Sequence, residues 1–583
     1  MENRVIQAVL LSLAVLFLYQ TFLVPRPVPP TAVAPPAAAQ GPVPGATSPV
    51  GTSASSPSQA VAPAVTDVAQ TATPDSATTP LVAAERDDDI VVTTPHVRAV
   101  FSTRGATLKS WTLTGYVGGD GAPIDLVPEG VNGRIMPAFS LTTSDTAVSE
   151  RLAQALFLPS ASSLDIQEGS TAARQLTFEY RDASGLSATK VFSFERDGQP
   201  FLLGVAAQVV QGTEAKNFTI HSGPGLGDIE RATSSGGFMF GTYYQGPQGI
   251  TYLDDVERLA PDGFAEQRVF EASFAFAGMD DHYFLGAALL RRPARVEYAT
   301  HSVTTPGGPR SLVEYGLTFP EPPTEIKFYL GPKDFDQLIR SDQELVRTIH
   351  FGWFAWLVVP LLRALKWING YVGNYGWSII LLTLLINIVI FPLRHKSVVS
   401  MRKMQQLQPR VKAIQERYAG LKATDPAKQK MNQELMELYK TAGVNPASGC
   451  VPMLLTMPVL FAFYSLLATA IELRGAPFGL WIQDLSAHDP LYVTPVIMGA
   501  TMLWQQWITP TAGMDPAQQR IMMFMPLMFM VFFLWAPSGL VLYWLMSNLL
   551  TIGQQYLTNR IVGPPPAPVV PVKAQAVPRK AKA

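Results

Sequence analysis

The sequence is poor in the residues that build disulfides, metal centres and charged surfaces. Its 583 residues include one cysteine, Cys450, so no internal disulfide can form, and no Cys/His cluster has the spacing of a zinc site. Charged residues make up 15% of the chain and the formal net charge is −1, which gives no global field for attracting DNA. No Walker motif is found. We therefore expect no cofactor, metal, nucleotide hydrolysis, enzymatic activity or DNA partner.

Long apolar runs are the most informative feature present. A bilayer core requires roughly 20 apolar residues in a helix. Runs of this kind occupy residues 5–24, 377–393, 450–471, 491–508 and 521–557. The last run is too long for one span, and the Pro and Gly of Ala536-Pro537-Ser538-Gly539 predict a turn in its middle. We predict six spans, one early and five clustered late. The first is expected to be a retained anchor, with a signal peptide as the alternative.

Residues 351–368 are apolar but contain Pro360, Arg363 and Lys366, together with three tryptophans. Tryptophan prefers the headgroup level of a membrane. This pattern favours an amphipathic helix on the membrane surface, with a seventh span as the alternative.

The basic loops predict the orientation. Residues 394–440 hold eleven basic and four acidic residues, and the tail after Leu557 holds five basic residues and no acidic one. Both are expected in the cytoplasm. With six spans the N-terminus is also cytoplasmic, and residues 25–350 lie outside, in the periplasm if the cell has an outer membrane.

Residues 25–340, which are expected outside the membrane, fall into two segments of different composition. Residues 25–88 are rich in Pro and Ala and predict a disordered linker. Residues 89–340 contain short alternating runs, such as 176–180 and 189–195, separated by turn residues, which is typical of an antiparallel β sandwich. Asp280-Asp281-His282 offers acid–base chemistry, with surface or strand-edge residues as the alternative. Because large sandwiches often bind sugars, a membrane-anchored carbohydrate-binding or carbohydrate-active protein is a rival interpretation.

The loop at 394–440 predicts two amphipathic helices that form a basic hairpin. Val411, Ile414 and Tyr418 share one face, and Asp425-Pro426 is a helix-start signal. Such a hairpin would contact anionic lipid, ribosomal RNA or another protein, or would serve only to fix the topology. The residues predicted for ribosome or partner contact are Arg402, Lys403, Arg410, Lys412, Arg417 and Lys422.

Several stretches resemble the YidC family of membrane protein insertases. They include Leu407-Gln408-Pro409, residues 439–451 (YKTAGVNPASGCV), 477–485 (PFGLWIQDL), 515–526 (DPAQQRIMMFMP) and 532–548 (FFLWAPSGLVLYWLMSN). The resemblance implies an inner-membrane insertase and chaperone for nascent membrane proteins, acting alone or with the Sec translocon. It also implies a polar intramembrane groove that works without nucleotide hydrolysis. A solute transporter or channel is the other rival, and it would require paired ionisable groups at mid-membrane.

Polar residues within the spans are the candidates for this groove, with interhelical hydrogen bonding as the alternative. They are Thr383, Asn387, Arg394, Thr456, Thr501, Gln505, Tyr543 and Ser547. Family members commonly place a basic residue where this chain has Asn387. Arg394, two turns further on, is a hypothetical substitute for that charge.

The expected fold is thus a multi-pass α-helical membrane protein with a five-helix insertase core and an all-β periplasmic sandwich. The predicted domains are an anchor at 1–24, a linker at 25–88, the sandwich at 89–340, an interfacial helix at 341–370, the core at 371–560 with a cytoplasmic hairpin at 395–445, and a basic tail at 561–583.

Overall fold

The computed structural model describes residues 79–118, 121–127, 136–167, 174–194, 198–223, 225–226, 248–253, 255–259, 268–305, 308–418, 426–443, 451–508 and 516–562. The predicted anchor at 5–24, most of the linker and most of the basic tail lie outside these residues.

The first part of the described chain is dominated by β strands. In chain order they are β1 (Pro80–Val82), β2 (Asp89–Thr93), β3 (Val97–Ser102), β4 (Thr107–Val117), β5 (Pro123–Asp125), β6 (Leu141–Thr143), β7 (Leu158–Pro159), β8 (Ser163–Asp165), β9 (Gln175–Asp182), β10 (Leu186–Phe194), β11 (Leu202–Gln211), β12 (Glu214–Ala215), β13 (Phe218–Ser222), β14 (Gln248–Tyr252), β15 (Val256–Leu259), β16 (Val269–Asp280), β17 (Phe284–Thr305), β18 (Gly308–Thr318) and β19 (Ile326–Pro332). Helix α1 (Thr146–Gln154) lies between β6 and β7, and its N-cap Asp145 accepts hydrogen bonds from two backbone amides.

These strands form two sheets. The larger follows the order β1-β9-β10-β11-β19-β17-β16-β14-β15, with β6, β7, β12, β13 and β18 attached to its sides, and the smaller follows β5-β4-β3-β2-β8. The alternating runs predicted at 176–180 and 189–195 are the paired strands β9 and β10. One boundary needs correction, because β1 pairs with β9 inside the segment predicted to be a disordered linker. The first strand of the sandwich in the described residues is therefore at Pro80–Val82, before the predicted boundary at residue 89.

Aromatic side chains fill the space between the two sheets. Phe101 of the small sheet lies against Phe192 of the large one, with ring centroids 4.5 Å apart. Trp111 is fully buried, and its indole Nε1 donates across the interface to the Leu330 carbonyl at 2.9 Å. Aromatic side chains that bury their rings and satisfy their polar atoms account for much of the sandwich core.

A lysine is also buried in this core. The Lys190 Nζ donates to the carbonyls of Gly105, Ala106 and Phe139 at 2.6, 3.1 and 2.7 Å. Burial lowers the pKa of Lys190 to about 7, while the three carbonyl acceptors favour the charged form. Lys190 therefore joins the large sheet to two loops of the opposite layer.

Helices follow the sandwich. They are α2 (Phe335–Ser341), α3 (Ala355–Val372), α4 (Tyr375–Arg417), α5 (Pro426–Thr441), α6 (Val451–Thr469), α7 (Val493–Ile508), α8 (Pro516–Phe532) and α9 (Ser538–Val562), with short 3₁₀ turns at Gln343–Thr348, Gly352–Phe354, Ile471–Leu473 and Phe533–Trp535. Of the described helices, α4 alone is long and apolar enough to cross a membrane by itself, over Tyr375–Ser400, and shorter apolar stretches lie at Met457–Thr469 and Met523–Trp535. The count of six spans stays a prediction.

Local sequence sets where these helices begin and end. Helix α3 ends at Gly373, whose φ of 68° suits a glycine C-cap. Asn374 then caps α4 by accepting from the Trp377 amide. The turn predicted at residues 536–539 separates α8 from α9.

The predicted interfacial helix is α3. It buries Val358, Leu362 and Leu365 against the helical domain, and exposes Trp356 and Trp367 on its other side. This two-sided character is the amphipathic pattern expected from the sequence.

Helix α4 corrects the predicted boundary of the hairpin. The sequence analysis placed a separate hairpin at 395–445, whereas α4 runs without interruption from Tyr375 to Arg417 through Pro392 and Pro409. The first arm of the hairpin is therefore the continuation of the long apolar helix.

Candidate functional site

Polar side chains of α4 are organised around Arg394. Thr383 is buried and its Oγ1 donates to the Ile379 carbonyl at 2.6 Å, while Asn387 Nδ2 donates to the Thr383 carbonyl at 2.8 Å. Arg394 Nη1 donates to Asn387 Oδ1 at 2.9 Å. Side chains on a helix tilt towards its N-terminus, so an arginine can reach back over two turns. The guanidinium consequently lies near the level of Asn387 rather than at its own Cα.

The same guanidinium also connects two helices. Arg394 Nη1 donates to Thr551 Oγ1 of α9 at 3.1 Å, and Thr551 Oγ1 donates to the Ser547 carbonyl at 2.7 Å. A hydrogen-bonded chain therefore runs from Asn387 through Arg394 to Thr551. We call Asn387, Arg394 and Thr551 the arginine cluster.

Among the described residues, no acidic side chain forms an ion pair with Arg394 of this cluster, although its side chain is half-buried among helices. A cation removed from water without an acidic partner is costly, unless an anion binds beside it. This arrangement is suited to receiving a carboxylate or phosphate.

A second polar contact lies between α7 and α9. Asn548 Nδ2 donates to Thr501 Oγ1 at 3.2 Å, and Thr501 Oγ1 donates to the Met498 carbonyl at 2.7 Å. Both side chains are buried. Thr501 thus makes the interhelical hydrogen bond that the sequence analysis left open as the alternative to a groove role.

The remaining predicted groove residues are less uniform. Tyr543 is buried and stacks on Phe463 of α6 with ring centroids 4.3 Å apart, so it packs in the core of the helical domain. Gln505 and Ser547 are half-buried. Thr456 lies on α6, but its side chain is outside the described part of the structure.

Two further residues of α9, Thr551 and Asn548, are hydrogen-bonded to predicted groove residues. Thr551 was missed by sequence reasoning, although it follows Ser547 at i+4 on the polar face of α9. That spacing was the available signal. Asn548 lies one residue from the predicted Ser547 and contacts α7 rather than α4.

The hairpin arms contact each other through Tyr418 and Glu434. Tyr418 Oη donates to Glu434 Oε1 at 2.7 Å, and Arg417 lies 3.4 Å from the same carboxylate. Val411 and Ile414 are buried as their shared face predicts. Lys403, Arg410, Lys412 and Arg417 are exposed, whereas the side chains of Arg402 and Lys422 lie outside the described residues.

The side chains of Asp280, Asp281 and His282 form ion pairs and hydrogen bonds with neighbouring elements of the fold. Asp280, the last residue of β16, and Asp281 are fully buried, so they lie at a strand end, as one of the two expected alternatives had it, and not at the surface. Asp280 pairs with Lys333 and Arg258, and Asp281 Oδ1 accepts from the amides of the next turn. Burial lowers the pKa of His282 to about 4, so its neutral ring donates to the Ala468 carbonyl of α6 at 2.7 Å. No proton-transfer role is needed to explain these residues.

Lys366 of α3 faces three carboxylates. Its Nζ lies 3.2 Å from Asp334 and 3.1 Å from Glu472, and it also pairs with Asp336. Burial alone would lower the pKa of Lys366, but the three carboxylates raise it above its ordinary value. Asp334 caps α2 at the base of the sandwich, and Glu472 follows α6. We call this network the joint, because it ties the sandwich, α3 and the end of α6 together.

No group of three or more His, Cys, Asp or Glu side chains within the described ranges is placed to hold a metal ion.

Comparisons with known proteins match both halves of the chain. The family model for the 60Kd inner membrane protein matches residues 367–564, and that for the YidC periplasmic domain matches residues 89–364. The membrane protein insertase YidC of Syntrophus aciditrophicus is 34% identical over 602 residues, covering 96% of this chain and 100% of the relative. That of Geobacter sulfurreducens is 37% identical over 503 residues, covering 80% and 86%. A solved structure of an active YidC insertase with its first transmembrane domain resolved is 18% identical, with a TM-score of 0.33, covering 82% of this chain and 95% of that one.

Proposed function

Because this chain belongs to the YidC family of inner-membrane proteins with a periplasmic domain, we propose that it inserts integral membrane proteins into the bacterial inner membrane and assists their folding. The relatives that it matches over nearly their whole length are named membrane protein insertases. Nascent membrane proteins are accordingly its substrates.

The arginine cluster is the observation that carries the proposed mechanism. A polar segment of the incoming chain lies against α4 and α9, where Arg394 offers an unneutralised positive charge and Asn387 and Thr551 hold it in place. Hydrogen bonding to these groups lowers the cost of bringing polar atoms partway across the bilayer. Burial of the substrate's apolar helix in lipid then supplies the driving force, so nucleotide hydrolysis is not required.

The position of the positive charge on α4 is where this chain differs from the pattern expected for its family. Family members commonly carry a basic residue at the position of Asn387. In this protein Asn387 accepts a hydrogen bond from Arg394, so the cation reaches nearly the same depth from two turns away. We propose that Arg394 performs the anion-binding role and that Asn387 positions it.

The proposed topology has six spans, with both termini in the cytoplasm and residues 25–350 in the periplasm. In this orientation the joint lies on the periplasmic side and the arginine cluster lies nearer the cytoplasm. The basic hairpin then faces the cytoplasm, where its exposed Lys403, Arg410 and Lys412 are available to the ribosome, the Sec translocon or anionic lipid.

The rival functions receive less support. Ion-coupled transport requires paired ionisable groups within the membrane, and the described ion pairs include none with Arg394. A sugar-processing site in the sandwich would need free acid–base groups, but Asp280 and His282 are held in structural contacts.

Reconstitution tests the proposal. The purified full-length chain, in liposomes of phosphatidylethanolamine and phosphatidylglycerol, is expected to give several-fold more protease-protected product from a translated single-span substrate than empty liposomes do. Equal protection in the two preparations would contradict insertase function. Adding purified Sec translocon to the same liposomes tests the partnership separately, since cooperation predicts a further gain for substrates with long translocated segments.

A further inference from the structure

The loop between α6 and α7 presents an exposed leucine from a strained turn. Residues 478–482 form a tight hairpin in which the Ile482 amide donates to the Gly479 carbonyl at 3.1 Å. Leu480 lies at its tip with a φ of 55° and a side chain that is 85% exposed. The left-handed region is unfavourable for a residue with a Cβ, and Gly or Asn is the ordinary choice there. A leucine held in this conformation, and 85% exposed among the described residues, is an outlier that points to a function for its side chain.

The loop is fixed to one end of the long apolar helix. Asn374, which caps α4, donates from Nδ2 to the carbonyls of Pro477 and Phe478 at 3.1 and 3.2 Å. A Cβ on Gly376 would overlap with the Phe478 ring, so the ring packs directly on the first turn of α4. Leu480 is therefore held at the level where the membrane-crossing part of α4 begins.

Other exposed apolar side chains lie close to this end of α4. Trp377 is in its first turn, and Trp367 and Tyr371 are in the last turns of α3, which Gly373 joins to α4. Aromatic side chains of this kind mark the boundary between headgroups and acyl chains. The tip itself, Phe478-Gly479-Leu480-Trp481-Ile482, contains no charged residue.

We propose that Leu480 inserts into the outer leaflet of the bilayer, at the boundary between phospholipid headgroups and acyl chains, and so anchors the loop between α6 and α7. The occupant of this surface is phospholipid, because the tip is uncharged and continuous with the aromatic side chains at the end of the spanning helix. This inference requires the membrane location of the family but not the insertase activity. Its failure would leave the proposed function unaffected.

Depth measurement tests the anchor directly. A nitroxide is attached at Leu480→Cys in a full-length Cys450→Ser background, in bilayers of phosphatidylethanolamine and phosphatidylglycerol. The label is expected to be relaxed at least threefold more by oxygen than by a water-soluble nickel chelate. Leu253→Cys on the sandwich, where the native leucine is half-exposed, is the control and should show the opposite preference. A label at 480 that behaves like the label at 253 would overturn the proposal.

Two further variants separate anchoring from backbone strain. Leu480→Asn suits the left-handed backbone but is polar, whereas Leu480→Met keeps both the strain and the apolar side chain. In bilayers, amide hydrogen exchange of residues 478–484 is expected to be at least threefold faster in Leu480→Asn, and unchanged within a factor of two in Leu480→Met. Exchange in Leu480→Asn that is as slow as in the parent, or slower, would show that the loop gains nothing from lipid and would overturn the proposal.

Discussion

Replacing Arg394 with methionine is expected to lower the insertion rate of substrates with acidic translocated tails by about 10- to 100-fold. A hydrogen bond to a charged group contributes roughly 1.5–3 kcal/mol, which corresponds to this range. Substrates with neutral tails should lose much less, because they do not use the cation. The measurement is protease-protected product from matched acidic and neutral substrates in reconstituted liposomes.

Two variants control for damage to the fold. Arg98→Met removes an exposed arginine from the sandwich and should change insertion by less than about twofold, in keeping with the small contribution of exposed charges. Combining Arg394→Met with Asn387→Arg moves the cation to the family's usual position and should restore most of the acidic-tail preference. Equal loss for acidic and neutral substrates in Arg394→Met would mean that Arg394 acts only through packing.

Replacing Lys366 with glutamate is expected to open the joint, weakening it by about 3–5 kcal/mol. The substitution removes the lysine that pairs with Asp334, Asp336 and Glu472 and adds a fourth carboxylate in a partly buried site. Amide hydrogen exchange in the last turn of α6 and in residues 470–474 should become at least tenfold faster in the full-length protein. Ile471, which packs in the sandwich core, would be released with this segment.

The charge swap distinguishes the joint from general instability. Lys366→Glu combined with Glu472→Lys returns a cation to the cluster and should recover most of the protection. Lys109→Glu alters an exposed sandwich lysine that pairs with Asp89, and it should leave exchange near residues 470–474 unchanged. If the swap exchanges as fast as Lys366→Glu alone, the ion pairs do not hold the joint.

Much of the architecture follows from short-range patterns in the sequence. Alternation at residues 176–180 and 189–195 predicted β9 and β10, because side chains of a strand point alternately to its two faces. Pro537 and Gly539, within the stretch Ala536-Pro537-Ser538-Gly539, predicted the break between α8 and α9. The mixture of tryptophans, charges and Pro360 in residues 351–368 predicted a helix with one exposed face.

The parts that sequence reasoning missed depend on residues far apart in the chain. Nothing near Lys190 indicates that its Nζ meets three carbonyls from residues 105, 106 and 139. Lys366 contacts Glu472, which is 106 residues away in the sequence. Arg394 contacts Thr551, which is 157 residues away. Such contacts are set by how the elements pack, which periodicity within one element does not reveal.

The arginine cluster shows this limit most clearly. The sequence indicated that Asn387 and Arg394 share a face of α4, but a helical pattern does not say which of them presents the charge. The contact between Arg394 Nη1 and Asn387 Oδ1 assigns Asn387 as the acceptor. The positive charge beside Asn387 is therefore supplied by Arg394, two turns further along α4.

Photocrosslinking from position 387 tests whether substrates contact the arginine cluster. A photoreactive amino acid replaces Asn387 in the full-length protein, and ribosome-bound substrates of increasing length are presented to it in membranes. If the polar tail binds at the arginine cluster, an adduct is expected at chain lengths that place the tail beside α4. The adduct should disappear once the tail has crossed the membrane. A probe at Leu158, exposed on the sandwich, should give no adduct at those early lengths. Normal insertion with no adduct from position 387 at any length would contradict substrate binding at the arginine cluster.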